Sequence, residues 1–206
     1  MIKKLFWRKS KYQNFWLWFH DFDEILYEAF KEDPEHNAMR RLLVMRLFNI
    51  HRSIGFEIVK NNPEFPFEIV VTANGSKEAI DHIKHLAIHQ TETKNFNFTW
   101  LKQRSSKKNV RVHYRGLDLS YENISFEPIP NNEKFGVCLY IDGFKQNEAY
   151  IGATYLLLDH LLGEYDVTHH LNYLDWQVRE QGCTKGRPFY ELRAVIDKVK
   201  SKLKHE

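Results

Sequence analysis

A chain of 206 residues with 43% hydrophobic and 28% charged residues, 9 Gly and 6 Pro can bury a core of its own and is too apolar for a disordered chain. Its formal charge of +3 and pI near 8.7 fall well short of the balance of proteins that hold nucleic acid by charge alone. No stretch reaches the ~18 apolar residues of a bilayer-spanning helix, and the composition predicts one domain, 1–206, with no membrane partner.

The N-terminus is positively charged, but Arg8, Lys9 and Lys11 interrupt any apolar signal core, so a cytoplasmic location is expected. Tyr12, Phe15, Trp16, Phe19, Phe22, Leu26, Ala29 and Phe30 recur at three- and four-residue intervals and predict a helix with one broad apolar stripe. The segment 31–34, ending in Pro34, breaks the pattern. Met39, Leu42, Leu43, Leu47 and Ile50 then resume it, which makes 11–53 an N-terminal helical pair.

Over 54–104 the period becomes extended. Phe56 to Val59 and Phe67 to Ala73 are rich in aromatic and β-branched residues, with Asn62-Pro63 between them, and read as a strand pair. Asn74-Gly75 ends the second strand. Ser76 offers a cap for a helix over 77–89 with Ile80, Ile83, Leu86 and Ala87 inward, and Asn97 to Leu101 makes a third strand. After a basic, polar connection over 102–123, the same order returns in 124–178: strands around Ser125 and over Phe135 to Ile141, a helix from Glu148 to Leu162, and a strand over Leu171 to Trp176. A final helix occupies 188–204.

The expected class is α+β. Two ββαβ units, an internal pseudo-repeat, form a mostly antiparallel sheet with helices packed on one face, preceded by the helical pair. The helix EAYIGATYLLLDHLLG is apolar almost all round and should lie centrally, with Leu157, Leu158 and Leu161 buried and Gly163 just past its end.

The stretches FPFEIVVTANGSKEAI and LLLDHLLGEYDV, with the strand around Trp100, resemble an uncharacterised bacterial protein family of about 200 residues with no assigned activity. The likeness spans most of 12–200. It implies a bacterial cytosolic protein and carries over no catalytic residue.

Four constellations bear on chemistry. The segment from Asp159 to His170, with Asp159, Glu164, Asp166 and His169, gathers carboxylates and imidazoles beside an apolar helix, where burial shifts pKa values toward acid–base use. Salt bridges and a strand that splits His169 from His170 are the structural alternative. Lys102, Arg104, Lys107, Lys108, Arg111, His113 and Arg115, interleaved with Trp100 and Tyr114, suit phosphates and bases, or simply a solvated connection. His82, His85 and His89 share a helix side and are expected to face solvent without holding a metal. His20, Asp21, Asp23 and Glu24 read as a surface cluster. Cys138 reads as a core residue; Cys183 lies in a Gly-rich loop, and neither has metal-ligand spacing.

No Walker loop, GxGxxG, GxSxG, HExxH or paired CxxC occurs. Whether the chain is an enzyme stays open. The leading expectation is a noncatalytic module binding another protein, without cofactor. The alternatives are a hydrolase-type enzyme using the Asp159 to His170 region and an RNA-binding accessory protein using Trp100 to Arg115.

Overall fold

The aromatic stripe of the first thirty residues becomes α1 (Lys11–Glu32), opened by a capping box in which the Ser10 hydroxyl accepts from Gln13 N and the Gln13 side chain accepts from Ser10 N. The structure, a computed structural model, describes residues 9–33, 35–60, 67–129, 135–180 and 185–203. The chain separates into two compact units, Met1–Leu101 and Lys102–Glu206, and each closes a hydrophobic core of its own.

In the first unit, α1 buries Phe15, Trp16, Phe19, Leu26 and Phe30 against Leu43 and Leu47 of α2 (Asn37–Phe48) and a three-stranded sheet. Here β1 (Gly55–Val59) runs antiparallel to β2 (Phe67–Thr72), and β2 runs parallel to β3 (Phe96–Trp100). Asn74 and Gly75 turn with positive φ into α3 (Lys77–Ile88), where the Ser76 hydroxyl caps Ala79 N. Trp16 donates its indole N–H to Leu86 O at 2.8 Å, which fixes α1 on the end of α3 without leaving that polar atom unpaired.

The second unit opens with a hairpin, β4 (Arg111–Tyr114) and β5 (Leu117–Ser120). Arg115 and Gly116 both take positive φ at its turn, the hand that matches strand twist. A 3-10 turn at Tyr121–Asn123 leads into β6 (Ile124–Ile129), antiparallel to β7 (Gly136–Asp142). Then come α4 (Glu148–Leu162), α5 (Glu164–His170), β8 (Tyr173–Arg179) parallel to β7, and the short β9 (Arg187–Pro188) on the far side of β6. A 3-10 turn at Phe189–Glu191 starts α6 (Leu192–Leu203). Val137, Leu139 and Ile141 alternate inward from β7 and meet Leu157, Leu158 and Leu161 of α4 with Leu192 and Ile196 of α6, all buried.

The mixed α+β class and the N-terminal helix pair stand, and so does the buried α4. The strands do not join into one sheet: among the described residues there are three, ordered β1-β2-β3, β4-β5 and β8-β7-β6-β9. The pairs β2–β3 and β7–β8 are parallel, because a helical crossover returns the chain in the direction it left. Two elements depart from expectation. The connection 102–123 contains the β4–β5 hairpin, whose four-residue strands bury only Val112 on β4 and Leu119 and Ser120 on β5, and 164–170 is helical where a loop and strand were expected. Asn62-Pro63 and Cys183 lie outside the described residues.

Candidate functional site

Gly163 ends α4 with φ of 82° and lets the chain turn sharply into α5. A side chain there would press on Arg104 Cγ and Lys102 O, at 3.3 and 3.5 Å from an ideal Cβ. This corner gathers most of the acidic candidates and two of the basic ones. Lys102 N donates to Glu164 Oε2 at 3.1 Å, Glu164 N donates to Lys102 O at 2.9 Å, and Lys102 Nζ lies 3.8 Å from Asp159. Asp166 receives Arg104 Nη2 at 2.6 Å and Lys200 Nζ at 2.8 Å, with His170 Nε2 at 3.6 Å.

Arg104 also donates to Leu162 O and pairs with Asp197. Burial disfavours its charge, but the hydrogen bonds of Asp197 and Asp166 outweigh that and hold its pKa above the ordinary value. Glu164 and Asp166 are only 2% and 4% exposed. His169 instead stacks on Tyr165, ring centroids 4.2 Å apart, with its Nδ1 at Tyr165 O. Acid–base work needs a carboxylate or imidazole that reaches a substrate. Here Glu164 and Asp166 are turned into the 102–105 segment.

The rest of the basic stretch separates in space. Arg115 pairs with Glu148, Arg111 sits exposed on β4, and Lys107 and Lys108 line a cleft of the second unit. That cleft is two hollows, about 460 and 430 Å³, sharing Lys108, Tyr121 and Tyr190. Lys107 and Arg193 line one, and Arg179 and Lys185 the other.

Local folding explains each wall. Phe189 plugs the core, so the next residue of the 3-10 turn, Tyr190, must face out and is 57% exposed. The Tyr121 ring packs edge-on against Phe189 at 5.3 Å and is 4% exposed. Among the described residues its buried hydroxyl has no hydrogen-bond partner. Burial pushes the Tyr121 pKa up to about 12, only partly offset by the charge of Arg193.

The cations differ in how far they are neutralised. Arg179 is held by both oxygens of Asp142 at 2.6 Å and by Glu122 O. Arg193 donates to two neutral carbonyls, Leu161 O and Ser105 O, and acts electrostatically on Asp197 one helical turn further on. Lys107, Lys108 and Lys185 form no ion pair with a carboxylate among the described residues, and Lys185 Nζ stands 4.4 Å from the centre of the Tyr140 ring. Sequence reasoning found Lys107 and Lys108 and missed Tyr121, Lys185, Tyr190 and Arg193. These come from segments far apart in the chain and leave no local pattern.

In the first unit, Tyr12 of α1 lies across the three helical histidines. Its hydroxyl is 2.8 Å from His82 Nδ1, and its ring stacks on His85 at 5.3 Å and His89 at 5.7 Å. His85 is exposed, while His82 and His89 are half-buried, so the expectation of a fully solvated face fails for two of the three. The helical wheel places them away from the core of α3 itself but cannot show that α1 covers that side. His82 is held below its ordinary pKa by burial, then by Lys11 and His51. Among the described residues no group of three or more His, Cys, Asp or Glu is arranged to hold a metal ion. Asp23 accepts from Asn95 Nδ2 at 2.6 Å and Lys94 N at 3.1 Å, so that acidic cluster fixes the turn before β3.

No protein-family profile, curated protein or solved structure matches the chain. Among the described residues no helix is long and apolar enough to cross a membrane.

Proposed function

We propose that the protein is a noncatalytic binding module and that the basic cleft of the second unit receives an acidic partner. One observation carries this reading: Lys107, Lys108 and Lys185, none of them in an ion pair with a carboxylate among the described residues, line with Arg193 two adjoining hollows that share Tyr121, with Glu122 a carboxylate that also lines one of them. Cations left unmatched in a concave, partly apolar surface attract and orient an anion, whereas paired ones do not. The hydrolase-type alternative loses support from the same geometry, since Glu164 and Asp166 are buried in ion pairs and hydrogen bonds within the fold.

The reading is compatible with a bacterial cytosolic protein. We also take the matching order in the two units, strand, antiparallel strand, helix, parallel strand, as a pseudo-repeat of which only the second copy carries the cleft. The test is binding of two fluorescent polyanions, polyglutamate and oligouridylate, at low ionic strength. At least one should bind, and the triple variant Lys107→Glu, Lys108→Glu, Lys185→Glu should lose that binding while keeping its fold. Absence of binding to both probes refutes the reading.

A further inference from the structure

We infer that the acidic partner is a single-stranded nucleic acid, with its backbone phosphates along Lys107, Lys108 and Lys185 and a base stacked on Tyr190. This rests on the cleft being the working surface, and it goes further by naming the ligand's chemistry. The lysines without an ion-pair partner among the described residues are the decisive groups. A wall that holds Lys107, Lys108 and Arg193 suits an acceptor that is also an anion, as a phosphate oxygen is.

Tyr190 separates a nucleic acid from an acidic protein. Its ring is exposed although its neighbour Phe189 is locked in the core, so it forms a fixed platform beside the lysines. The face of an aromatic ring carries negative potential, which repels a carboxylate but stacks with any base. The cations are also spread along two joined hollows, from Lys107 through Lys108 to Lys185, which suits successive phosphates of a strand better than one small anion.

The experiment measures affinity by fluorescence anisotropy for an oligouridylate, the matching oligodeoxythymidylate and a polyglutamate of equal charge, over a range of salt. Oligonucleotide binding should fall steeply with salt and exceed that of polyglutamate. Equal affinity for the two oligonucleotides identifies phosphodiester and base as the recognised chemistry, and a preference for the uridylate adds the 2′-hydroxyl; both support the inference. Tyr190→Ala should weaken oligonucleotide binding on the order of ten-fold and leave polyglutamate unchanged. Polyglutamate binding as tightly as the oligonucleotides, with Tyr190→Ala affecting neither, overturns the inference and leaves the acidic-partner reading standing; failure of every probe removes both.

Discussion

At Asp166 one carboxylate answers Arg104, Lys200 and His170, and its burial makes its loss costly to the second unit. Asp166→Ala leaves Arg104 with Asp197 alone and Lys200 without this partner, and should cost about 1–3 kcal/mol in urea unfolding while leaving anion binding in the cleft intact. A loss of binding at unchanged stability would instead place Asp166 at the working surface. His82 gives a pH dependence whose sign follows from its environment. Its folded pKa lies below the unfolded value of 6.5, so as pH falls through that value the unfolded chain takes up a proton that the folded chain refuses, and stability is lost. His82→Gln should flatten the decline of first-unit stability between neutral and mildly acidic pH, followed by tryptophan fluorescence. Lys11, Tyr12, His51, Glu78 and His85 face the same ring and shape whatever dependence remains.

At the scale of elements, α4 is the pillar of the second unit. Leu157 and Leu158 are fully buried between β7 and the neighbouring helix, and Leu157→Ala or Leu158→Ala should each cost about 2–5 kcal/mol through lost burial and the cavity left behind. Lys84→Ala, on the exposed side of α3 in an ion pair with Asp81, should change stability by less than about 1 kcal/mol. Gly152 sits mid-helix, where alanine would normally be preferred by about 1 kcal/mol. Here a Cβ would clash with the Tyr114 ring, so α4 uses the glycine to let the β4–β5 hairpin approach. Gly152→Ala should therefore destabilise, and adding Tyr114→Ala should relieve part of that loss in a double-mutant cycle.

At the scale of the molecule, two cores of largely aromatic and largely aliphatic character divide the chain. The first clusters Trp16, Phe19, Phe30, Phe67, Phe96 and Phe98; the second relies on Leu, Ile and Val around Phe126 and Phe189. The boundary falls between Leu101, whose N–H bonds Val71 O, and Lys102, whose N–H bonds Glu164. Each is fastened within its own unit. Fragments ending at Leu101 and starting at Lys102 should each unfold cooperatively in urea, and the second alone should bind the anionic probes. A single transition in the whole chain, with both fragments unfolded alone, would show that one cooperative domain spans the 206 residues.

Local periodicity determined much of this protein. The stripe of α1, the Ser76 cap, the Asn74-Gly75 turn and the all-apolar α4 ending at Gly163 are legible because each depends on residues within a few positions of one another. The tertiary structure alone decided that the strands divide among three sheets, that α1 covers the histidines of α3, and that Lys102 and Arg104 meet Glu164 and Asp166 across sixty residues of chain. It also decided the cleft. Lys107 and Lys108 showed as part of a basic run, but their distinction from Lys102 and Arg104 depends on which cations find carboxylates after folding. Tyr121, Lys185, Tyr190 and Arg193 reach them only because β9 pairs with β6 and Phe189 enters the core. Pairing and burial between distant segments follow from which surfaces exclude water together, and no local period encodes that.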